Sequence, residues 1–449
     1  MNAHLLRPSA RLQRLSVLVG GLLALPLVAA ESWAPSIVTV DKVSANVRLR
    51  YEQSAQSGVP DAEALTAALR FGFASDPAKN WQWAVEADRA MVLTSDDNTS
   101  LRTIGGAPGF PGTSYKPFHQ STEEESEFRL SQAWLAFRQG NTLTTLGRQR
   151  LAFDNERFIG PDDWRLAPRV FDALAVHHEF TEKLSLTYAY IWRVSGPSAA
   201  PDIWDGAVGP VRSTPPRIDE DSDSHLLHVR YSGWAAGTLS GYAYLLDLGD
   251  DPYRRWQSCA TYGLSFAGSR ALTSSLRLDY RAEAALQTDY GDYAGDYSTD
   301  YQAIKVGLGW KACTLSLGGE WRDHDGSGGF QTPWGSQSLF GGWAGAVPDR
   351  TGNGMRDLSV EFAADLPAKI RLEAAYHGFQ PIRHKGYVYP AVWPNFHFNY
   401  GQAHEFDLQA TRPFGRFLTG GIKYADFQSD AIFRRPNVRR LWVQAQFTY

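Results

Sequence analysis

The stretch VSANVRLRYE, residues 43–52, separates into two faces: Val43, Ala45, Val47, Leu49 and Tyr51 on one, and Ser44, Asn46, Arg48, Arg50 and Glu52 on the other. A two-residue side-chain period keeps these sets apart, whereas helical spacing scatters them. The same alternation returns in LRLDYRAEA, where Leu276, Leu278, Tyr280 and Ala282 oppose Arg277, Asp279, Arg281 and Glu283. It closes the chain, with Leu441, Val443, Ala445, Phe447 and Tyr449 opposing Arg440, Trp442, Gln444, Gln446 and Thr448.

Marking every such segment predicts 18 strands, near 43–52, 64–74, 81–93, 128–138, 142–151, 170–180, 184–194, 225–231, 238–247, 256–267, 272–284, 300–310, 314–322, 357–363, 370–377, 404–411, 417–427 and 438–449. Their connections alternate. Long loops at 94–127, 152–169, 195–224, 323–356 and 378–403 are separated by turns as short as Gln139–Asn141, Thr181–Lys183 and Lys311–Cys313. A soluble β-sandwich has no reason to sort its loops this way, but an outer-membrane barrel does, with short periplasmic turns and long outer loops. The fold expected is an all-β, transmembrane antiparallel barrel of about 18 strands, closed because an open sheet edge in lipid leaves backbone groups unpaired.

Residues 1–30 read as a cleaved signal peptide, with Arg7, Arg11 and Arg14 ahead of an apolar run from Leu15 to Leu27 that ends in Val28-Ala29-Ala30. Residues 31–449 are then the barrel. Taking three arginines and no acid from 44 basic and 48 acidic side chains leaves 41 against 48, a net charge of −7 that makes nucleic acid an unfavourable partner. Mean hydropathy is negative and no later stretch approaches the length of a membrane helix, which excludes a helical membrane protein and leaves a barrel open. Aromatics form 13% of the chain, with 15 Trp and 20 Tyr, as suits rings at two membrane interfaces. Trp81, Trp83, Tyr188, Tyr190, Trp192, Trp310, Trp321 and Tyr376 are read as those anchors, with Tyr242 and Trp442 on luminal faces. Cys259 and Cys313 fall too far apart in this topology to form a disulfide.

The face opposite each strand's apolar set lines an aqueous lumen in a barrel of this size, so selectivity resides there. Its basic positions are Arg48, Arg50, Arg70, Arg148, Arg150, Arg193, Arg230, Arg277, Arg281, Lys305, Arg322, Arg371, Lys423 and Arg440, against 11 acids. The surplus acid is expected in loops, as in Asp219-Glu220-Asp221 and Glu123-Glu124-Glu125. Arginine suits bidentate contact with carboxylates, whether in the wall or on a passing solute.

The densest stretch is GRQRLAFDNERFIGPDDWRLAPRVFDAL, residues 147–174, which suits a loop folding into or over a pore mouth with Gly160-Pro161 as its bend. Through Gly147-Arg148-Gln149-Arg150, Arg157-Phe158, Gly160, Trp164-Arg165, Arg169 and Phe171-Asp172, the chain resembles the alginate-export family of outer-membrane porins. The resemblance implies an arginine-rich lumen that conducts a polyuronate, with Arg148, Arg150, Arg157, Arg165, Arg169 and Asp172 as pathway residues. Arg48, Arg50, Arg70, Arg277, Lys305 and Lys423 join them as candidates from their wall-facing parity.

The function expected is therefore a porin for an anionic, sugar-like solute, embedded among outer-membrane lipid and lipopolysaccharide and inserted by the barrel-assembly machinery. The competing readings are a porin for small aromatic or amino-acid carboxylates and a plugged adhesin or scaffold barrel. No cofactor or metal is implied: His177 and His178 are adjacent and face opposite sides of a strand, and no strand offers a clear Ser/His pair for an outer-membrane hydrolase.

Overall fold

Backbone N–H and C=O groups facing hydrocarbon have no water to turn to, so strands that cross a membrane must pair all the way round. The structure, a computed structural model, describes residues 43–57, 61–76, 79–95, 127–164, 166–197, 217–249, 255–293, 295–347, 354–382, 402–430 and 437–449. The expected signal peptide, Arg165 and the Glu123-Glu124-Glu125 run lie outside them.

The strands are β1 (Val43–Gln56), β2 (Ala62–Ala74), β3 (Trp81–Ser95), β4 (Glu127–Gln139), β5 (Thr142–Gln149), β6 (Val170–Thr181), β7 (Leu184–Pro197), β8 (Arg217–Trp234), β9 (Gly237–Leu246), β10 (Cys259–Ala271), β11 (Leu276–Thr288), β12 (Ser298–Trp310), β13 (Cys313–Arg322), β14 (Met355–Leu366), β15 (Ile370–Gln380), β16 (Ala403–Phe414), β17 (Leu418–Ser429) and β18 (Val438–Thr448). Each pairs antiparallel with its sequence neighbours in one 18-stranded sheet. The pairing of β1 with β18, from Asn46↔Thr448 to Gln56↔Val438, closes the barrel. Short turns such as 140–141, 182–183 and 311–312 collect at one end and the long connections at the other.

Strand β8 is far longer than the expected 225–231 and takes in Asp219-Glu220-Asp221, which were expected in a loop. The reason is physical: above the membrane both faces of a strand meet water, so RIDEDSDS carries no apolar alternation to read.

Over most of the circumference the apolar set faces out. Leu49, Leu69, Phe71, Leu264, Leu286, Val306, Leu308, Leu317 and Val360 are all exposed on the outer surface. Trp81, Trp310, Trp234 and Phe414 stand outward at the short-turn end, where Trp81 packs on Phe137 with centroids 4.6 Å apart. Both cysteines are free, Cys259 buried and Cys313 half-buried.

The core lies inside the barrel. One buried cluster joins Leu151, Phe153, Phe158, Ile159, Phe171, Ile191, Leu226, Tyr242, Tyr244, Tyr301, Phe330 and Trp334. A second joins Ala344, Met355, Phe379, Phe427, Val438 and Trp442, with Trp164 and Trp343 against it. Both draw on residues 150–169 and 323–347, the long loops after β5 and β13, which turn into the lumen instead of standing above it.

Candidate permeation path

The two inward loops are joined along their length. Ile159 and Trp334 form a parallel bridge, the Gly160 amide donates to the Trp334 carbonyl at 2.8 Å, and the Ser336 amide to the Glu156 carbonyl at 2.9 Å. Ser336 Oγ donates to Glu156 Oε2 at 2.6 Å and accepts from the Asp162 amide at 2.8 Å, while Ser338 donates to Asp162. A Cβ at Gly160 would run into Ser336 and Glu156, so a glycine is required where the loops touch. Gly160 therefore serves as the contact between loops, and the turns of this loop lie at 154–155 and 163–164, on either side of the bend expected at Gly160-Pro161.

Arginines hold this pair of loops in place. Arg169, fully buried, donates through Nη1 to the carbonyls of Gly160, Trp334 and Gly335 at 2.9, 2.8 and 3.0 Å. Arg157 reaches across to β13, bonding Glu320 at 2.6 Å and Thr332 Oγ1 at 3.0 Å, with its guanidinium 4.7 Å from the Phe340 ring. On the wall, Arg48 Nη1 donates to the carbonyls of Asp163 and Trp164, both at 3.1 Å; Arg50 donates to the Trp164 carbonyl at 2.6 Å and lies over its ring at 4.1 Å. Arg150 pairs with Glu86, and Arg129 bonds the Pro168 carbonyl. Buried ions without such partners would each cost several kcal/mol.

Asp154 and Asp163 are the acidic ends of these contacts. Asp154 accepts from Ser240 at 2.8 Å and lies 3.1 Å from His228 Nε2. Burial acts to raise its pKa, but the imidazole of His228, Arg281 and the Ser240 hydroxyl hold it well below the usual carboxylate range. For Asp163 partial burial is likewise outweighed by Arg150, Arg70, Arg48 and Arg129, and its pKa is lowered.

The second loop is held by a cluster that the sequence reading missed in part. The amides of Trp343 and Ala344 donate to Asp407 Oδ2 at 3.3 Å and Glu405 Oε1 at 2.6 Å on β16. Lys423 Nζ lies 4.0 Å from the Trp164 ring, 4.3 Å from Trp343 and 5.5 Å from Trp442, inside a box of indoles. Cation–π contacts of this kind contribute ~0.5–2 kcal/mol each. Trp442 and Tyr242, expected on luminal faces, are there but buried beneath the loops; Tyr242 stacks on Tyr244 at 4.7 Å and donates to Glu283 at 2.8 Å.

Arg148 and Asp172 were expected to face the lumen, and the structure turns them outward. In β5, Leu143 and Thr145 are buried inside while Leu146 is exposed outside, and Arg148 shares the parity of Leu146. It is paired in register with Ala133, Asp172 and, one strand further, Arg193, so all lie on the outer face. The bond is bidentate, Nε to Oδ1 at 2.7 Å and Nη2 to Oδ2 at 2.8 Å. The expectation failed because it equated apolar with outward, and here the lumen is a packed core that takes Leu143, Phe171 and Ala173 inward. Strand β5 ends at Gln149, so Arg150 belongs to the inward loop.

Accessible luminal charge is found along another part of the wall. Arg70 on β2 is partly exposed, 2.9 Å from Asp88 and 3.6 Å from Asp163. Toward the short-turn end, Arg138, Arg230, Arg277, Lys305 and Arg371 are exposed or half-buried on luminal parity. Lys305 meets Glu361 at 2.5 Å, Arg371 meets Asp365 at 3.0 Å, and Arg277 meets Asp279 at 2.8 Å while keeping half its side chain exposed. Between them the wall of β12–β14 is low, with Gly307, Gly309, Ser316, Gly318 and Ser359 facing in. Arg138 at the end of β4 was not anticipated; its parity with Trp134 and Ala136, both buried inside, is the signal that could have found it.

A family model described as "Alginate export" matches residues 41–321. Among solved structures, Pseudomonas aeruginosa OccD3 (OpdP) shares 16% identity over 92% of this chain and 92% of its own, with a TM-score of 0.59. Pseudomonas aeruginosa OccK5 (OpdH) shares 12% over 92% and 99%, at 0.62. Pseudomonas aeruginosa OpdK, solved with vanillate, shares 14% over 91% and 99%, at 0.61. These likenesses concern the fold. A comparison with curated protein sequences finds no match.

Proposed function

The chain belongs to the alginate-export family of bacterial outer-membrane porins, and from that premise we propose that its solute is a carboxylated sugar. It is an outer-membrane, substrate-specific porin, so the short-turn end is periplasmic. The observation that carries the proposal is the periplasmic half of the lumen. There Arg138, Arg230, Arg277, Lys305 and Arg371 are accessible, facing the accessible carboxylates of Glu361 and Asp365. A wall of this sign raises the local concentration of anions and steers them to the opening. Lys305 and Glu361 keep 31% and 33% of their side chains exposed, within reach of a solute, and the loops after β5 and β13 bound the lumen from the other side.

Within this reading the twelve candidate residues divide by position. Arg70, Arg277 and Lys305 face accessible lumen; Arg48, Arg50, Arg150, Arg157, Arg169 and Lys423 shape the passage by fixing the loops; Arg148 and Asp172 are outside it. Arg165 falls outside the described residues.

The test is permeation through the purified protein in planar bilayers and liposomes. Anion preference under a salt gradient, and faster swelling in glucuronate or galacturonate than in glucose, are expected. Preference for cations, or equal entry of charged and uncharged sugars, would contradict the proposal. Faster entry of vanillate than of uronates would favour an aromatic carboxylate, the solute class seen with OpdK.

A further inference from the structure

Arg148 lies at a depth where a barrel exterior is ordinarily hydrocarbon-facing. It is opposite Ala133, two outward positions above Phe137, which packs with Trp81 in the periplasmic aromatic girdle. For strands rising about 3.3 Å per residue and tilted about 40°, that is roughly 10 Å above the girdle, within an apolar band about 25 Å tall. At the corresponding level on β12, two outward positions above Trp310, stands Val306.

Nor is Arg148 isolated. Arg148, Asp172, Arg193 and Asp221 form a ladder across the outer face of β5–β8, alternating in sign and rising with the tilt of the strands. Arg193 Nη2 meets Asp221 at 2.7 Å and Nη1 meets Asp219 at 3.5 Å. Further outward pairs, Thr142 with His178 at 2.8 Å and Tyr188 with His225 at 2.9 Å, add polar groups to a face that also carries Leu135, Leu146, Leu227 and Val229. A second feature coincides with it. Strand β5 has 8 residues, about 20 Å of height by the same geometry, less than the band it should cross. A wall too short for the bilayer is relieved by thinning the membrane or by association with another protein.

We propose that the outer face of β4–β8 packs against a second copy of this chain. An arginine facing acyl chains at the midplane costs ~2–4 kcal/mol, a penalty that a protein neighbour removes. Turned about an axis along the membrane normal, the order Arg, Asp, Arg, Asp meets itself reversed, so each arginine stands opposite an aspartate, Asp172 opposite the partner's Arg193 first among them, and the same face serves both partners. Five strands spaced about 4.8 Å apart over a 25 Å band present about 600 Å², on the scale of one partner's share, ~800 Å², of a stable interface. The inference is independent of what the pore conducts.

The test is thiol cross-linking in native outer membranes, in a Cys313→Ser background, with Leu146→Cys on this face and Val306→Cys on the opposite one. Expected is a band at a multiple of the chain's mass for Leu146→Cys and none for Val306→Cys. Asp172→Arg, which sets three arginines side by side, should yield monomers in mild detergent with heat-shifted gel migration and unit conductance preserved. Should that variant not fold, Arg193→Asp makes the same test nearer the rim. The inference is overturned if Leu146→Cys gives no cross-link, if both positions cross-link equally, or if the captured partner has a different mass.

Discussion

Strands β5–β8 and β11–β14 belong to one barrel and meet different surroundings on both faces. In β11–β14 the outer face is Leu278, Val306, Leu317 and Val360, and the inner face carries Asp279, Lys305, Glu320 and Glu361. In β5–β8 the inner face is Leu143, Phe171, Ala173, Ile191 and Leu226, all buried, and the outer face carries Arg148, Asp172, Arg193 and Asp221. Both obey the same two-residue alternation. What differs is the cover: two inward loops make a dry core against β5–β8 and leave Lys305 and Glu361 of β12–β14 partly accessible. Amphipathic alternation thus distinguishes two faces, and the environment supplied by the rest of the chain decides which faces in.

The comparison is broken most directly at the dry core. Trp334, with none of its surface exposed and its ring edge-on to Phe171 at 5.3 Å, joins the loops to β6. Trp334→Ala should cost about 3–5 kcal/mol of loop docking, seen as protease cleavage within 150–169 while the heat-shifted migration of the barrel persists. Resistance equal to the parent protein would show that the loops are held by arginine contacts alone.

Next in size is the exterior. Val306→Arg places on β12 the residue that β5 carries at the corresponding level, without an Asp172 beside it. A loss of about 2–4 kcal/mol is expected in unfolding from lipid; no loss would mean that the level assigned to Arg148 is not hydrocarbon.

A smaller effect should come from acid. The pKa of Asp154 is depressed in the folded state, so its contribution is complete above the unfolded value of about 3.9 and fades as pH falls toward the depressed one. Protease resistance of the loop after β5 should be level from pH 7 to about 5 and weaken below about 4. Asp154→Asn should reduce that acid dependence, leaving the part that Asp163 contributes; a loop equally weakened between pH 7 and 5 would point to another group.

The last comparison leaves stability nearly unchanged. Lys305→Glu should shift the anion-to-cation permeability ratio by roughly twofold or more, and further at ~0.01 M salt, where the Debye length is ~30 Å, than at ~0.1 M, where it is ~10 Å. Arg148→Glu, outside the barrel, should leave that ratio where it was. A selectivity change from Arg148→Glu in a folded, conducting protein would return that residue to the lumen and undo the contrast between the sectors.

Strand number, antiparallel order and the sorting of short turns from long loops were all legible in the chain, because each rests on local periodicity or turn chemistry. Arg157 and Arg169 were recognisable as belonging to a loop at the pore, but their partners, Glu320 and the Trp334 carbonyl, are separated from them by 163 and 165 residues. No local pattern encodes such a contact. The same holds for the indoles around Lys423 and for the outward turn of Arg148. Sequence determined that each strand has a polar and an apolar face, since that is a property of alternating side chains. Tertiary structure alone decided which arginines are buried and which accessible, because a side chain's cost depends on whether lipid, water or a folded-back loop lies against it, and that is settled only when distant segments meet.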